Sequence, residues 1–287
     1  MSIVNNCMVV NLQVGIWMGH RLDKEASQNV TRQAKASGDA ARVNKHLIPK
    51  EALQPVVSAA GAVRTHLVTQ TLPWKDNGDR LLIRRLYTQF VEKHSELVAN
   101  FDKEVEHFLK KTYVSARDQA EFRMGALFKA DDYPTPRALR TKFYINLDID
   151  AISTSSDFRV ELDKQQAKQV KSQIEEALQA RMTSAMGEVW KRLEKTLGHF
   201  ADKLGSDEIF RDTTVTNLEE IVDLLPDLNI TNDPNLEKIR KAIKNKLIGY
   251  DVNDLRKDEA TRTTVADEAK KIMDTMSGFM NAFGGGA

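Results

Sequence analysis

The sequence predicts an α+β protein, predominantly helical, with long amphipathic helices packed on a small antiparallel sheet of about three strands. Three observations predict it. From Asp163 to Leu204, apolar residues fall at Val170, Ile174, Ala177, Leu178, Met186, Val189, Leu193, Leu197, Phe200 and Leu204. Steps of three and four lay one stripe along a helix of about forty residues, or about 60 Å. From Met8 to Met18 every second residue is apolar (Met8, Val10, Leu12, Val14, Ile16, Met18), the period of a strand. The same period returns at Phe143, Ile145, Leu147 and Ile149, and again at Phe158, Val160 and Leu162 after a turn at 153–156. These two runs make a hairpin, and the N-terminal strand adds beside it.

In chain order, Gly19 ends the first strand, and Arg21 to Lys35 is polar and at best helical before the break at Ser37-Gly38-Asp39. Pro49 suits the first turn of a helix running to Thr71, with Pro55 in an early turn or at a kink. Leu72 to Arg80 is a loop in which Asn77-Gly78 favours positive φ. Leu82, Leu86, Phe90, Leu97, Phe101, Val105 and Phe108 stripe a second long helix from Leu82 to Tyr113. His94 lies inside that stripe, where it reads as a core or boundary residue. A further helix to Phe128 stops at Asp131-Asp132-Tyr133-Pro134-Thr135-Pro136. After the forty-residue helix, Gly205-Ser206 breaks the chain. That divides a core of residues 1–205 from a helical C-terminal region of residues 206–287. Within the latter, Ser206-Asp207-Glu208 opens a helix, Pro226 stops an amphipathic segment from Thr216, and Asn232-Asp233-Pro234 caps a helix faced by Leu236, Ile239, Ile243 and Leu247.

Composition sets the outer bounds. The hydrophobic fraction of 41% and charged fraction of 29% are those of a globular chain, and no apolar run approaches the length of a membrane span. A single cysteine, Cys7, forms no internal disulfide, and no basic flank precedes Arg21 to make a secretory signal. The expectation is a cytosolic protein with no membrane partner. The net charge of +1 hides a split: residues 1–142 carry 22 Lys/Arg against 15 Asp/Glu, and residues 143–287 carry 20 against 26. A basic first half and an acidic second half suit an anionic partner or head-to-tail docking of copies, and also an ordinary solvated surface.

The sequence lacks a P-loop, a His-Glu-x-x-His helix, a cysteine pair and a Gly-x-Ser-x-Gly elbow, and its six histidines lack ligand spacing. No enzyme, no metal and no cofactor is therefore expected. Asp76, Asn77 and Asp79 lack the spacing of a calcium loop. Asp148 and Asp150 alternate on a strand, so both carboxylates share one face, which reads as the polar side of a half-exposed sheet more readily than as a Mg²⁺ site. The tail residues Met273, Met276, Phe279, Met280 and Phe283 form an apolar face that either docks on a partner or neighbouring copy or folds on its own core.

The N-terminal strand followed by Leu22-Asp23-Lys24-Glu25, then Asn44-Lys45-His46-Leu47-Ile48-Pro49-Lys50, Thr71-Leu72-Pro73-Trp74 with Asn77-Gly78-Asp79-Arg80, Ala130-Asp131-Asp132-Tyr133-Pro134, Phe158-Arg159-Val160 and Ile209-Phe210-Arg211-Asp212 resemble an uncharacterised protein family of bacteriophages and prophages. The resemblance spans roughly residues 8–248 and leaves the Met/Phe tail uncovered. It implies a phage origin, the host cytoplasm as the place of action, and an AAA+ ATPase of the MoxR type as a candidate partner, since such a gene is sometimes encoded nearby. It supplies no catalytic residue. Two functions from different classes follow. One is a non-catalytic phage protein that self-assembles into a homo-oligomer or docks on a protein partner through its long striped helices. The alternative is a single-stranded DNA-binding protein of phage DNA metabolism. There Arg84, Arg85, Lys110, Lys111, Arg137, Arg140 and Lys142 would contact phosphate, and Trp17, Trp74 or Tyr144 would stack on bases.

Overall fold

The computed structural model describes residues 3–157, 163–206 and 211–284, with side chains described as far as Met280. The elements in order are α1 (Ile3–Asn6), β1 (Cys7–Gly15), β2 (His20–Asp23), α2 (Lys24–Gln33), β3 (Val43–His46), α3 (Lys50–Gln70), β4 (Leu72–Pro73) and β5 (Arg80–Ile83). There follow α4 (Tyr87–His107), α5 (Tyr113–Asp118), α6 (Ala120–Met124), α7 (Pro136–Arg140) and β6 (Tyr144–Asp150). The remainder is helical: α8 (Lys164–Leu204), α9 (Asp212–Leu228), α10 (Pro234–Lys246), α11 (Val252–Lys257) and α12 (Glu259–Gly284). Long helices packed with small sheets make an α+β protein, predominantly helical. The strand order is β4-β5-β1-β6 in a four-stranded sheet, with β2-β3 as a separate pair, where about three strands were expected. The expected hairpin partner at Phe158, Val160 and Leu162 lies outside the described residues.

The chain divides into two compact units that are interleaved in sequence: residues 1–11, 70–87 and 149–287 form unit 1, and residues 12–69 and 88–148 form unit 2. The boundary expected at Gly205-Ser206 therefore falls inside unit 1. The chain leaves unit 1 after its first strand residues and returns to it twice.

Unit 1 is organised around α8. Asp163 caps it by accepting from the backbone N–H groups of Gln165 and Gln166, each at 2.9 Å. Its fully buried residues run only from Ala185 to Leu204: Ala185, Met186, Val189, Trp190, Leu193, Leu197, Phe200, Ala201 and Leu204. These pack against α9 and α12, and α10 closes on both. Each large side chain so buried stabilises the unit by about 1.5–3 kcal/mol. Helix α12 runs antiparallel to α8. A Cβ on Gly205 would lie 3.8 Å from the Cβ of Ala266, one on Gly198 would lie 3.3 Å from Met273 Cε, and the Trp190 and Phe279 rings are 6.3 Å apart. That register brings the last turn of α12 level with the turn around Met186, where full burial of α8 ends. Over Lys164–Ser184 the stripe expected at Val170, Ile174, Ala177 and Leu178 is only half-buried.

The second long helix begins later than the pattern predicted. Residues Arg80 to Ile83 are a strand, pairing antiparallel with β1 through Cys7↔Ile83, Met8↔Leu82, Val9↔Leu81 and Val10↔Arg80, and the helix starts at Tyr87. Leu81, Leu82 and Ile83 are all buried, so the strand reads as an apolar run rather than an alternation.

In unit 2, α3 and α4 supply Val56, Ala59, Ala60, Phe101 and Val105 to a core completed by Phe108, Tyr113, Leu139 and Phe143. Val14 and Ile145 pack against it from the sheet, and Ile16 from just beyond β1. A π turn at Phe108–Thr112 separates α4 from α5. A smaller cluster of Leu47, Ala120 and Tyr133 lies beside Trp17 and Phe128. It adjoins a buried ion network in which Lys45, 3% exposed, lies 3.2 Å from Asp23 and in close contact with Asp132, while its Nζ also donates to the Leu127 carbonyl at 3.1 Å. Arg21 reaches Asp132 at 2.8 Å from the surface.

Candidate functional site, a groove along helix α8

A groove of about 760 Å³ lies in unit 1, running along α8 from Glu176 to Lys191. Its floor is Ala180, Thr183, Ser184 and Gly187, residues three or four apart and thus on one face of the helix. Pro73 of β4, Trp190 and Met280 also line it. Over about four turns, about 22 Å, the groove has the length to seat another helix. Glu176 and Lys191 are both exposed on its rim. Glu176 accepts from the Ser172 hydroxyl at 3.0 Å, and Lys191 has no ion pair among the described residues.

The tail residues singled out by the sequence lie beside this groove or under it. Met276 is 1% exposed and belongs to the core of unit 1. Met273 touches Gly198, Phe279 lies between Trp190 and the ammonium of Lys238 at 5.8 Å, and Met280 lines the groove. The tail thus folds on its own chain as far as Met280, the second of the two arrangements that its apolar face allowed. The side chain of Phe283 lies outside the described residues.

The seven basic candidates divide between the units. Arg84 and Arg85 belong to unit 1, where Arg85 Nε is 3.2 Å from Asp227 Oδ1. The other five belong to unit 2, where α7 packs against the π turn and so places Arg137, Arg140 and Lys142 on elements neighbouring Lys110 and Lys111. Lys110 and Arg140 share Glu106 at 2.7 and 3.8 Å, and Arg140 also donates to Asp102 at 3.0 Å. Lys111, Arg137 and Lys142 are exposed and carry no ion pair among the described residues. Of the proposed stacking aromatics, only Tyr144 is open, at 45% exposure. Trp17 packs on Tyr113 and Phe108 with centroids at 5.6 and 6.4 Å, and Trp74 is buried beneath the Arg181 guanidinium.

The paired carboxylates do not converge. Asp148 accepts from Gln13 Nε2 at 3.1 Å, while Asp150 lines a separate small pocket with Trp74, Lys75, Asp79 and Arg181. Among the described residues no three His, Cys, Asp or Glu side chains gather as a metal would need. Asp79 of the turn loop is held by Asn11 at 2.9 Å and Lys75 at 3.0 Å. His94 is buried with Nδ1 unpaired, and burial, with His66 nearby, holds its pKa below the ordinary histidine value. Burial pushes the Cys7 thiol up to about 11, so it stays protonated and unreactive.

Two features escaped the sequence. The groove left one trace, the small residues Ala180, Thr183, Ser184 and Gly187 interrupting the bulky positions between Leu178 and Val189. The Asp23–Lys45–Asp132 network left none, since its members come from separate elements. Comparison with protein-family models, with curated proteins and with solved structures gives no match.

Proposed function

We propose that this chain is a non-catalytic phage protein that acts by self-assembly or by docking on a protein partner, and that the groove along α8 is its contact surface. One observation carries the reading: among the described residues α8 is fully buried only from Ala185 onward, and an open groove floored by small residues lies where that burial runs out. A half-covered amphipathic helix gains free energy when a second helix completes its burial. The buried charges support the same reading, because Lys45, Asp23 and Asp132 are closed on one another as a structural network. On the resemblance to phage proteins, the action would lie in the host cytoplasm, with an AAA+ ATPase of the MoxR type as a candidate occupant of the same surface. No helix among the described residues is long and apolar enough to cross a membrane. Light scattering tests the reading. A mass above 32.4 kDa in the micromolar range, or a protein recovered with the chain from infected cells, is expected. A strict monomer that brings nothing with it would remove the basis for the proposal.

A second reading, single-stranded nucleic-acid binding, is favoured by Lys111, Arg137 and Lys142 of unit 2, exposed and without an ion pair among the described residues, and by the open ring of Tyr144 two residues after Lys142. Phosphate contacts release counterions, so binding through them weakens steeply with salt. Affinity for an oligonucleotide that is unchanged between low and moderate ionic strength would contradict this reading.

A further inference from the structure

We propose that the occupant of the groove is α8 of a second copy, lying antiparallel about a two-fold axis that passes between Thr183 and Ser184. The inference rests on the self-assembly reading above and adds the partner, its direction and its register.

The charge pattern of the groove carries it. With Thr183 set against Ser184 of an antiparallel copy, Ala180 falls against Gly187, Gln179 against Glu188, and Glu176 against Lys191. Two-fold symmetry repeats every one of these pairings. The side chains meeting at the centre are the small ones of the groove floor, which let two helix backbones approach closely. The rim pairs are complementary: Glu176 and Lys191 are exposed, and neither has an ion-pair partner within its own chain among the described residues. Glu188 already pairs with Arg192 at 3.1 Å, which leaves its second oxygen to accept from the amide of Gln179 across the axis. A parallel copy in register would instead set Glu176 against Glu176 and Lys191 against Lys191, and like charges at this separation repel. The groove is therefore self-complementary in one direction only.

Sedimentation equilibrium on the full-length chain tests it, with Glu176→Lys and Lys191→Glu made separately. Each single variant sets like charges opposite one another at both ends of the interface. The dimer dissociation constant should rise about five- to thirty-fold for each variant alone. An equimolar mixture of the two should recover wild-type affinity, because each end then pairs opposite charges again. Recovery on mixing also shows that neither variant is misfolded. A wild-type dimer whose affinity neither variant alters, or two weakened variants that fail to recover on mixing, overturns the antiparallel register while leaving self-assembly through another face. A wild-type chain that stays monomeric through the micromolar range overturns both.

Discussion

Replacing Lys45 by Met should cost unit 2 about 3 kcal/mol at neutral pH, and the reason is the company Lys45 keeps. Its side chain is 3% exposed, between Asp23 at 6% and Asp132 at 7%. Removing one partner from a buried charge network leaves the others uncompensated, which costs about 3–5 kcal/mol. Two features place the cost at the low end. Arg21 still reaches Asp132 at 2.8 Å, and Asp23 still accepts from the backbone N–H of Ala26 at 3.0 Å. The pH dependence gives a second check. In the wild type, the Ala26 N–H, and with it Lys45, holds the Asp23 carboxyl below its ordinary range. Burial pulls the Lys45 pKa down, but hydrogen bonds to Asp132 and Asp23 outweigh it and raise it above the usual lysine value. The Asp23 contribution is therefore complete above about pH 4 and is lost as pH falls through the lower folded pKa. In Lys45→Met the stranded carboxylates are relieved by taking up protons, so the gap from wild type should narrow on acidification. Hydrogen exchange of the amides in β2 and β3 reads the opening free energy of this region directly. A loss under about 1 kcal/mol at pH 7, or a gap that widens in acid, would mean that Lys45 does not hold the two buried carboxylates.

Three further outcomes are expected. His94 is neutral and buried in the native state, so unit 2 should lose stability as pH falls below about 6.5, where the unfolded histidine binds its proton. His94→Leu should flatten that dependence, and an unchanged profile in urea melts would count against it. Gly19 sits at φ +66°, and a Cβ there would lie 2.9 Å from Ile48 Cγ1, so Gly19→Ala should destabilise by about 1–3 kcal/mol in thermal unfolding. Phe122 is 97% exposed on α6, so Phe122→Ser should leave stability within about 0.5 kcal/mol, and a larger loss would mean the ring is covered in solution.

Much of the architecture was legible because burial leaves a period in the sequence. The stripe from Met186 to Leu204 is the core of unit 1 as read, and Leu236, Ile239, Ile243 and Leu247 face inward from α10 as expected. The misreading at Leu82 has a physical source. A strand with Leu81, Leu82 and Ile83 all buried shows no alternation, and Leu82, Leu86 and Phe90 happen to fall at helical spacing. The first strand was found but ends at Gly15, where the Tyr144 ring lies so close that a Cβ would fall 2.2 Å from its Cε1. The interleaving of the units was not legible, since nothing local tells Asn11 and Leu12 apart within one strand. Nor was the groove, because an open face is defined by where β4 and α12 stop rather than by the residues of α8. The same stripe pattern runs on through Val170 and Ile174, yet tertiary packing buries it fully only in its second half among the described residues.

On the self-assembly reading the groove stretch of α8 is completed by a second copy. Hydrogen–deuterium exchange on the full-length chain over a dilution series tests it most directly. Self-assembly predicts that backbone amides from Glu176 to Ser184 exchange slowly at high concentration and faster on dilution, while those from Leu193 to Leu204 stay protected throughout. Exchange in the first stretch that is the same at every concentration would contradict it.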